Sequence, residues 1–228
     1  MNSKIVFYLF ASLIFHYSSA QEWKADVSYK YMYSSQLDKS IQTYNFSRPL
    51  LLEKQPLLMN GINASISYIF KNERNLKHGL NLNYAYFRSS AENENFNNTF
   101  NLNFVNLGYI LHYENAEKWK GLYSDLIISA TSSVILRKIN GEPFVYDETR
   151  SKAFGIGGDV QLKFGTYINL KNKSYISPFI SFSYTPYLFS PNNEAVINQT
   201  KGLITNNWTS ILSAQIGLAF HLRQQEND

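Results

Sequence analysis

The chain has no cysteine, so a disulfide framework, a thiol nucleophile and a cysteine-based metal site are all excluded. After residue 20 it has no apolar run long enough for a transmembrane helix, and its mean hydropathy is −0.28. It has no strong charge of one sign, because 21 basic and 17 acidic residues leave a net charge of only +4. These charges are dispersed, so we expect no nucleic-acid partner. With no linker rich in proline, glycine or serine, the sequence predicts a single domain.

Residues 1–20 have the pattern of a secretory signal peptide. Lys4 is followed by a short apolar run over residues 5–15, and Ser18, Ser19 and Ala20 provide small residues for cleavage before Gln21. The alternatives are a buried N-terminal strand and a signal anchor. We predict an exported mature chain that ends in a short tail over residues 223–228.

Aromatic residues are abundant, with 17 tyrosines and 16 phenylalanines in a polar background. They follow a period of two, which is typical of strands that separate an apolar from a polar environment. In the first segment the apolar positions are Trp23, Ala25, Val27, Tyr29, Tyr31 and Tyr33, and the intervening residues are mainly polar. Eight such segments occur, each long enough for a tilted strand to cross the hydrocarbon of a bilayer.

The fourth segment changes phase. Phe100, Leu102 and Phe104 alternate with asparagines, and the apolar face then continues from Val105 through Leu107. One extra residue near Phe104 and Val105 would keep all of these side chains on the outside, so we predict a β-bulge there.

The connections alternate in length. Short ones lie around residues 71–77, 114–120 and 169–173, and mostly longer ones over residues 35–60, 89–98, 135–152 and 188–206. The sequence therefore predicts an all-β fold: a single eight-stranded antiparallel up-and-down transmembrane β-barrel over residues 21–222, with short periplasmic turns and longer extracellular loops. Alternation alone does not say which face is outside, so a soluble lipocalin-like binding protein is the alternative fold.

The segment from Gln215 to Phe220 reads Gln-Ile-Gly-Leu-Ala-Phe. With the eight alternating segments, it resembles the small eight-stranded outer-membrane β-barrel proteins, the group that includes OmpX and the OmpA membrane domain. The resemblance implies an integral protein of the outer membrane of a Gram-negative bacterium, in contact with outer-membrane lipids and the outer-membrane assembly machinery. The chain departs from the group by ending in a polar tail instead of an aromatic residue.

No catalytic, cofactor-binding or metal-binding residues are predicted. Some barrels of this group modify lipid A near the outer rim, but His78, His112 and His221 all fall at the predicted periplasmic ends of strands, where we expect interfacial or turn residues. The glycine-rich stretch from Gly155 to Asp159 has no helix after it, so a phosphate-binding loop is not expected.

Six charged residues fall on the predicted inner face, where equal numbers of opposite charges favour ion pairs over a reactive site: Lys24, Asp26, Lys30, Asp125, Asp159 and Lys163. Asp125 and Lys163 should be neighbours there.

The first long loop contains two Pro-Leu-Leu units, and exposed apolar clusters often mark contact sites. Its candidate partner-contact residues are Arg48, Pro49, Leu50, Leu51, Leu52, Pro56, Leu57 and Leu58. The alternative is that this loop folds over the mouth of the barrel or extends the hairpin within the membrane.

The leading functional hypothesis is a structural barrel or one that acts through its loops in interaction, adhesion or assembly, with another envelope or extracellular protein as a possible partner. Because eight strands enclose a space that side chains fill, we expect no open channel. A narrow pore for small solutes, a lipid A-modifying enzyme and a soluble lipocalin-like protein are the alternatives.

Overall fold

The computed structural model describes residues 22–49, 52–70, 75–93, 96–114, 121–140, 150–170, 174–189 and 208–223. The predicted signal peptide and the last five residues of the tail lie outside these ranges. The elements, in chain order, are β1 (Glu22–Tyr33), α1 (Ser35–Phe46), β2 (Asn60–Ile69), β3 (Leu76–Asn93), β4 (Phe96–Glu114), β5 (Leu122–Asn140), β6 (Arg150–Thr166), β7 (Ile168–Asn169), β8 (Ser174–Phe189) and β9 (Trp208–Arg223).

The eight long strands form one closed antiparallel barrel. Neighbours along the chain pair from β1 to β6, β6 pairs with β8, β8 with β9, and β9 returns to β1. The closing seam is regular, with β1 paired to β9 from Glu22 opposite Arg223 to Tyr33 opposite Leu212. The two-residue β7 pairs only with β8. The eight-stranded antiparallel barrel predicted from the alternation is therefore confirmed.

The two faces of the wall differ in polarity. In β1 every second residue is exposed, and Lys24, Asp26 and Ser28 between them are buried. Large apolar side chains are exposed all round the outer surface, including Val27, Ile62, Ile128, Ile156, Phe182, Ile216 and Leu218. A soluble lipocalin-like barrel would place polar side chains outward, so the described strands do not fit that alternative.

The barrel has two distinct ends. We call the end where β1 begins and β9 finishes the lower rim, and the end near α1 the upper rim. The wall is highest on one side, because β3, β4 and β5 are 18 or 19 residues long whereas β2 has only 10. The prediction of a long connection over residues 89–98 is wrong, because β3 continues to Asn93 and β4 begins at Phe96, so these strands form a tall hairpin.

The predicted β-bulge near Phe104 and Val105 is also wrong. The register of β4 with β3 and β5 is continuous through both residues. Phe100, Leu102 and Phe104 consequently point into the barrel and are buried, whereas Val105 and Leu107 are exposed outside. The phase change therefore marks a change in the interior, which is polar below and apolar above.

The helix α1 fills this apolar mouth. Its buried residues, Leu37, Ser40, Ile41 and Tyr44, have the spacing of one helical face. Leu37, Ile41 and Tyr44 join one apolar cluster with residues of the barrel wall, including Phe87, Phe100, Ile135 and Ile211. Among the described residues, no helix has the length and apolar character needed to cross a membrane.

Candidate functional site: a sealed barrel interior

A first ion pair lies inside the lower half of the barrel. The Lys24 ammonium donates to Asp125, and both side chains are fully buried. The other oxygen of Asp125 lies 2.6 Å from Nδ1 of His112, and the ring of Tyr123 lies 4.1 Å from the Lys24 ammonium. Because each charge has an opposite charge and further polar contacts, the cost of burying them is largely offset.

A second ion pair lies beside the first. Lys163 donates to Oδ2 of Asp26 at 2.6 Å, and Ser65 donates to the same oxygen at 2.6 Å. Lys163 also lies 4.4 Å from the centre of the Phe179 ring. We call Lys24, Asp26, Asp125 and Lys163 the crossed ion pairs, since each pair joins strands that are not neighbours in the sheet.

The sequence-predicted pairing differs from the contacts observed. Asp125 and Lys163 are register partners on β5 and β6, as the hairpin between them predicts. Their direct ion pairs nevertheless go across the barrel, to Lys24 and Asp26 respectively. Asp159 accepts a hydrogen bond from Thr185 at 2.8 Å and is electrostatically coupled to Lys30. All six predicted interior charges are at most 6% exposed.

A further charged cluster lies at the lower rim, where the first and last strands meet. Arg223 donates to Glu22 at 2.9 Å and to Glu114 at 2.8 Å. Glu22 also lies 2.8 Å from Nδ1 of His221, and Lys77 donates to Glu114 at 3.2 Å. The cluster therefore links β1, β3, β4 and β9 by side-chain contacts in addition to the backbone ladder.

Two residues of this cluster, together with the adjacent His112, have the composition of a metal site. The candidate ligand atoms of Glu22, His112 and Glu114 lie within 4.8 Å of one another. Arg223 already donates to both carboxylates, and Nε2 of His112 is 3.1 Å from the Tyr167 hydroxyl. A metal ion would have to displace these partners, so we assign the cluster to ion pairing.

We expect Arg223→Met to lower the free energy of unfolding by about 2 kcal/mol, because two buried or half-buried carboxylates lose a charged donor. Arg223→Lys should restore only part of the loss, since a lysine keeps the charge but not the two-pronged geometry. The urea midpoints for unfolding of the two variants in detergent measure both changes in stability. Equal stability of Arg223→Met and the unchanged chain would contradict a bridging role.

The upper part of the interior is closed by α1. The rings of Tyr44 and Phe100 meet edge to face with centroids 6.2 Å apart, and Asn98 donates to the Tyr44 hydroxyl at 3.2 Å. Asn45 exchanges two hydrogen bonds with the backbone of Gln55, at 2.9 and 2.8 Å. These contacts hold the helix and the chain that follows it in the mouth of the barrel.

The predicted partner-contact loop is divided between the interior and the surface. Leu58 is buried and Leu57 is partly buried against the apolar cluster, whereas Leu52 is 72% exposed. Pro49 and Pro56 are exposed and Arg48 is half-buried. Leu50 and Leu51 lie outside the described residues. Phe46, at the end of α1, is also exposed, at 88%.

The histidines are placed less simply than expected. His78 is exposed and contacts the Tyr109 hydroxyl at 2.9 Å. The expectation of an interfacial or turn residue is wrong for His112 and His221, which are fully buried inside the lower half. Both histidines lie an even number of residues from the inward-facing polar positions of their strands, β4 and β9. The period of two could therefore have placed them inside the barrel. Since all three lie near the lower rim, none can contact a substrate at the upper rim.

The glycine-rich stretch from Gly155 to Asp159 lies within β6, which continues as a strand to Thr166. It accompanies an irregularity in the barrel, because the register of β6 with β8 shifts between Gly157 and Val160. The register of β8 with β9 shifts between Thr185 and Leu188, at the same part of β8. The structural role of these glycines is therefore in the wall of the barrel.

The comparisons with known proteins show a likeness of fold only. No protein-family model matches the chain, and no curated protein matches it. The crystal structure of Neisserial surface protein A covers 90% of this chain and 99% of its own, with a TM-score of 0.49 and 10% identity. Ail, the attachment invasion locus protein of Yersinia pestis, in complex with the heparin analogue sucrose octasulfate, covers 89% and 99%, with a TM-score of 0.47 and 10% identity.

The outer membrane protein OprG of Pseudomonas aeruginosa is a third such structure, with a TM-score of 0.39, 11% identity and coverage of 91% of this chain and 97% of its own. The fold is that of a small outer-membrane β-barrel. This statement rests on the eight-stranded closure, the apolar outer surface and the charged interior of the chain itself.

Proposed function

We propose that this chain is an integral protein of the bacterial outer membrane, with the lower rim in the periplasm and the upper rim outside. The observation that supports it is the continuous apolar outer surface around a charged interior. In water such a surface would be an aggregation liability, whereas in a bilayer it contacts lipid, and each of the eight long strands pairs with a neighbour on both sides. The predicted export signal over residues 1–20 agrees with this location.

We further propose that the barrel is closed to solutes and acts through its upper rim, as a structural component or in interaction, adhesion or assembly. The crossed ion pairs obstruct the lower interior, and α1 with its apolar cluster obstructs the upper interior. The exposed side chains of Phe46 and Leu52, at the end of α1 and in the segment that follows it, are the candidate contact residues for a partner.

The location is tested by membrane fractionation and by electrophoresis before and after heating. We expect recovery with the outer membrane, and faster migration of the unheated protein because the barrel stays folded in detergent. Recovery in the soluble periplasm would contradict the proposal.

The closed interior is tested separately in planar bilayers and in liposome swelling with small sugars. Because side chains fill an eight-stranded barrel, the folded chain should give no stable single-channel steps and no swelling. Reproducible conductance would make the narrow pore the better function.

A partner that binds the upper rim should lose affinity when Phe46 and Leu52 are both changed to serine. Lys77→Ser at the lower rim is the control, and it should leave binding to intact cells unchanged. Whole-cell binding assays compare the two variants.

A further inference from the structure

The outer surface of β3 and β4 changes from apolar to polar near the upper rim. Val105 of β4 is exposed on the outside of the barrel. Above it, Tyr84 donates to Asn103 at 2.6 Å and Tyr86 donates to Asn101 at 2.7 Å, both on the outer surface. Tyrosines with such polar contacts are typical of the level where hydrocarbon meets lipid headgroups. We therefore place the boundary of the bilayer on this side of the barrel at these two tyrosines.

A set of polar and basic residues lies directly above that boundary. Arg88 is the register partner of Asn101, and the next row of the sheet joins Ser90, Thr99 and Lys138. Arg88 and Lys138 are exposed, and the hydroxyls of Ser90 and Thr99 lie 3.2 Å apart. We call these five residues the outer cationic face.

The outer cationic face belongs to the tall part of the wall. Phe87 and Ser89, on either side of Arg88, are buried, so the exposed Arg88 side chain points outward. β2 pairs with β3 only as far as Gly61 opposite Phe87, so Arg88 lies above the last pair of that ladder. The face is therefore presented to the surroundings of the barrel and not to its mouth.

The two cations of this face have no counter-charge in the part of the chain that the structure describes. There, neither Arg88 nor Lys138 makes a hydrogen bond or a salt bridge. The next acidic residue along β3 is Glu92, two residues above Ser90, and its carboxylate accepts from the Asn97 amide at 3.1 Å. Both cations are therefore available for an external anion.

The backbone register extends the positive charge towards β6. Lys152 and Arg150 are the register partners of Leu136 and Lys138. The two rows that contain Arg88 and Lys138 therefore hold four basic residues and, among the described positions of β3 to β6, no acidic one.

The opposite side of the barrel has a different outer surface near its upper rim. The outward side chains at the tops of β1 and β9 are aromatic or aliphatic, and Tyr31, Tyr33 and Leu212 are all exposed. The nearby Lys30 points inward and is buried. The outer cationic face thus lies on one side of the barrel, and a ligand bound to it would have a defined position around the wall.

We propose that the outer cationic face binds the phosphate groups of anionic lipid headgroups in the outer leaflet, which rests on the proposed location with the upper rim outside. The Arg88 guanidinium can donate two parallel hydrogen bonds to one phosphate, and the Lys138 ammonium adds a second positive charge. The hydroxyls of Ser90 and Thr99 are uncharged donors in the same row as Lys138.

The height of the face favours a lipid over a soluble acidic partner. Attraction to an anionic membrane surface falls off within a Debye length, so basic residues act on headgroups only when they lie close to the bilayer. Arg88 is two residues beyond Tyr86, at the level where the headgroups begin. The adjacent hydrocarbon also screens charges less than water does, which strengthens an ion pair there.

The proposal is tested with the detergent-folded protein, with lipid A as the anionic probe and phosphatidylcholine as the probe with no net charge. Native mass spectrometry measures the binding of each lipid. Arg88→Gln combined with Lys138→Gln should weaken lipid A binding on the order of tenfold, because each basic residue near an anionic surface adds a several-fold preference. Binding of phosphatidylcholine should not change.

Two further variants separate this face from the overall charge of the protein. Arg88→Lys combined with Lys138→Arg keeps both charges and should retain most of the lipid A binding. Lys39→Gln combined with Lys54→Gln removes the same charge from α1 and the segment after it, where both lysines are exposed, and should leave lipid A binding unchanged. Heat-dependent migration establishes that every variant is folded.

Unaltered lipid A binding by the glutamine variant of the face, or an equal loss in the variant of Lys39 and Lys54, would overturn the proposal. Dextran sulfate in solution is the second probe. If it bound as tightly as lipid A and lost as much affinity in the glutamine variant, a soluble acidic partner would replace the lipid. None of these results affects the proposed location, which only recovery of the unchanged chain in the soluble periplasm would contradict.

Discussion

Asp125→Ala is expected to destabilise the folded barrel by about 3–5 kcal/mol, the largest effect of any single interior change. Asp125 is fully buried and accepts from Lys24 while it contacts His112 at 2.6 Å. Its removal leaves the Lys24 ammonium inside the barrel without a counter-charge. One unpaired buried ion costs far more free energy of folding than the replacement of both ions by apolar residues. The measurement is the urea midpoint for unfolding from detergent micelles or lipid vesicles.

A double variant distinguishes two causes of lost stability, the unpaired charge and the loss of packing contacts. Lys24→Met combined with Asp125→Leu removes both charges and keeps most of the volume, so its stability should be much closer to that of the unchanged chain. Lys77→Met is the control, because the Lys77 side chain is 22% exposed and Glu114 keeps its contact with Arg223, so its loss of stability should be much smaller. If Asp125→Ala matched Lys77→Met, the crossed ion pairs would not be a stabilising element.

Ile41→Asp is expected to release α1 from the mouth of the barrel. Ile41 is fully buried among apolar residues of the wall, so a carboxylate introduced there loses its hydration. A loss of about 3 kcal/mol in the docking of the helix corresponds to a roughly 100-fold increase in the released population. Trypsin cleavage after the exposed Lys39 should accelerate in proportion, because cleavage follows the population of the open form.

Gln42→Asp is the matched control, since it introduces the same charge one residue later on the exposed face of α1. Its cleavage rate should stay close to that of the unchanged chain. Rapid cleavage of both variants, or of neither, would show that the buried face of α1 does not hold the helix in place. Heat-dependent migration should be retained in both variants, because the barrel ladder does not include α1.

Much of the wall could be predicted because the relevant signal is local. Alternation with a period of two says which residues share a face, and it identified eight strands and the six charges of the inner surface. The even strand count and the short lower turns also follow from the chain. The lengths of the upper connections were predicted less well. Ser89 and Asn98 belong to a hairpin that rises above its neighbours and not to a long loop.

The apolar mouth shows how a correct observation led to a wrong interpretation. The phase change at Phe104 and Val105 was visible, and a bulge explained it only if every apolar side chain had to face lipid. In the structure, Phe100 and Phe104 face inward because α1 covers them. The helical spacing of Leu37, Ile41 and Tyr44 was the available signal for α1.

By itself, the sequence determined that the chain forms an alternating wall with charged and apolar faces, because that pattern depends on neighbours one and two residues apart. Only the tertiary structure decided which charges meet. Lys24 and Asp125 are 101 residues apart, and Asp26 and Lys163 are 137 apart. Whether such residues touch depends on the stagger accumulated around the closed barrel, which brings side chains of distant strands to the same height and is a property of the whole ladder.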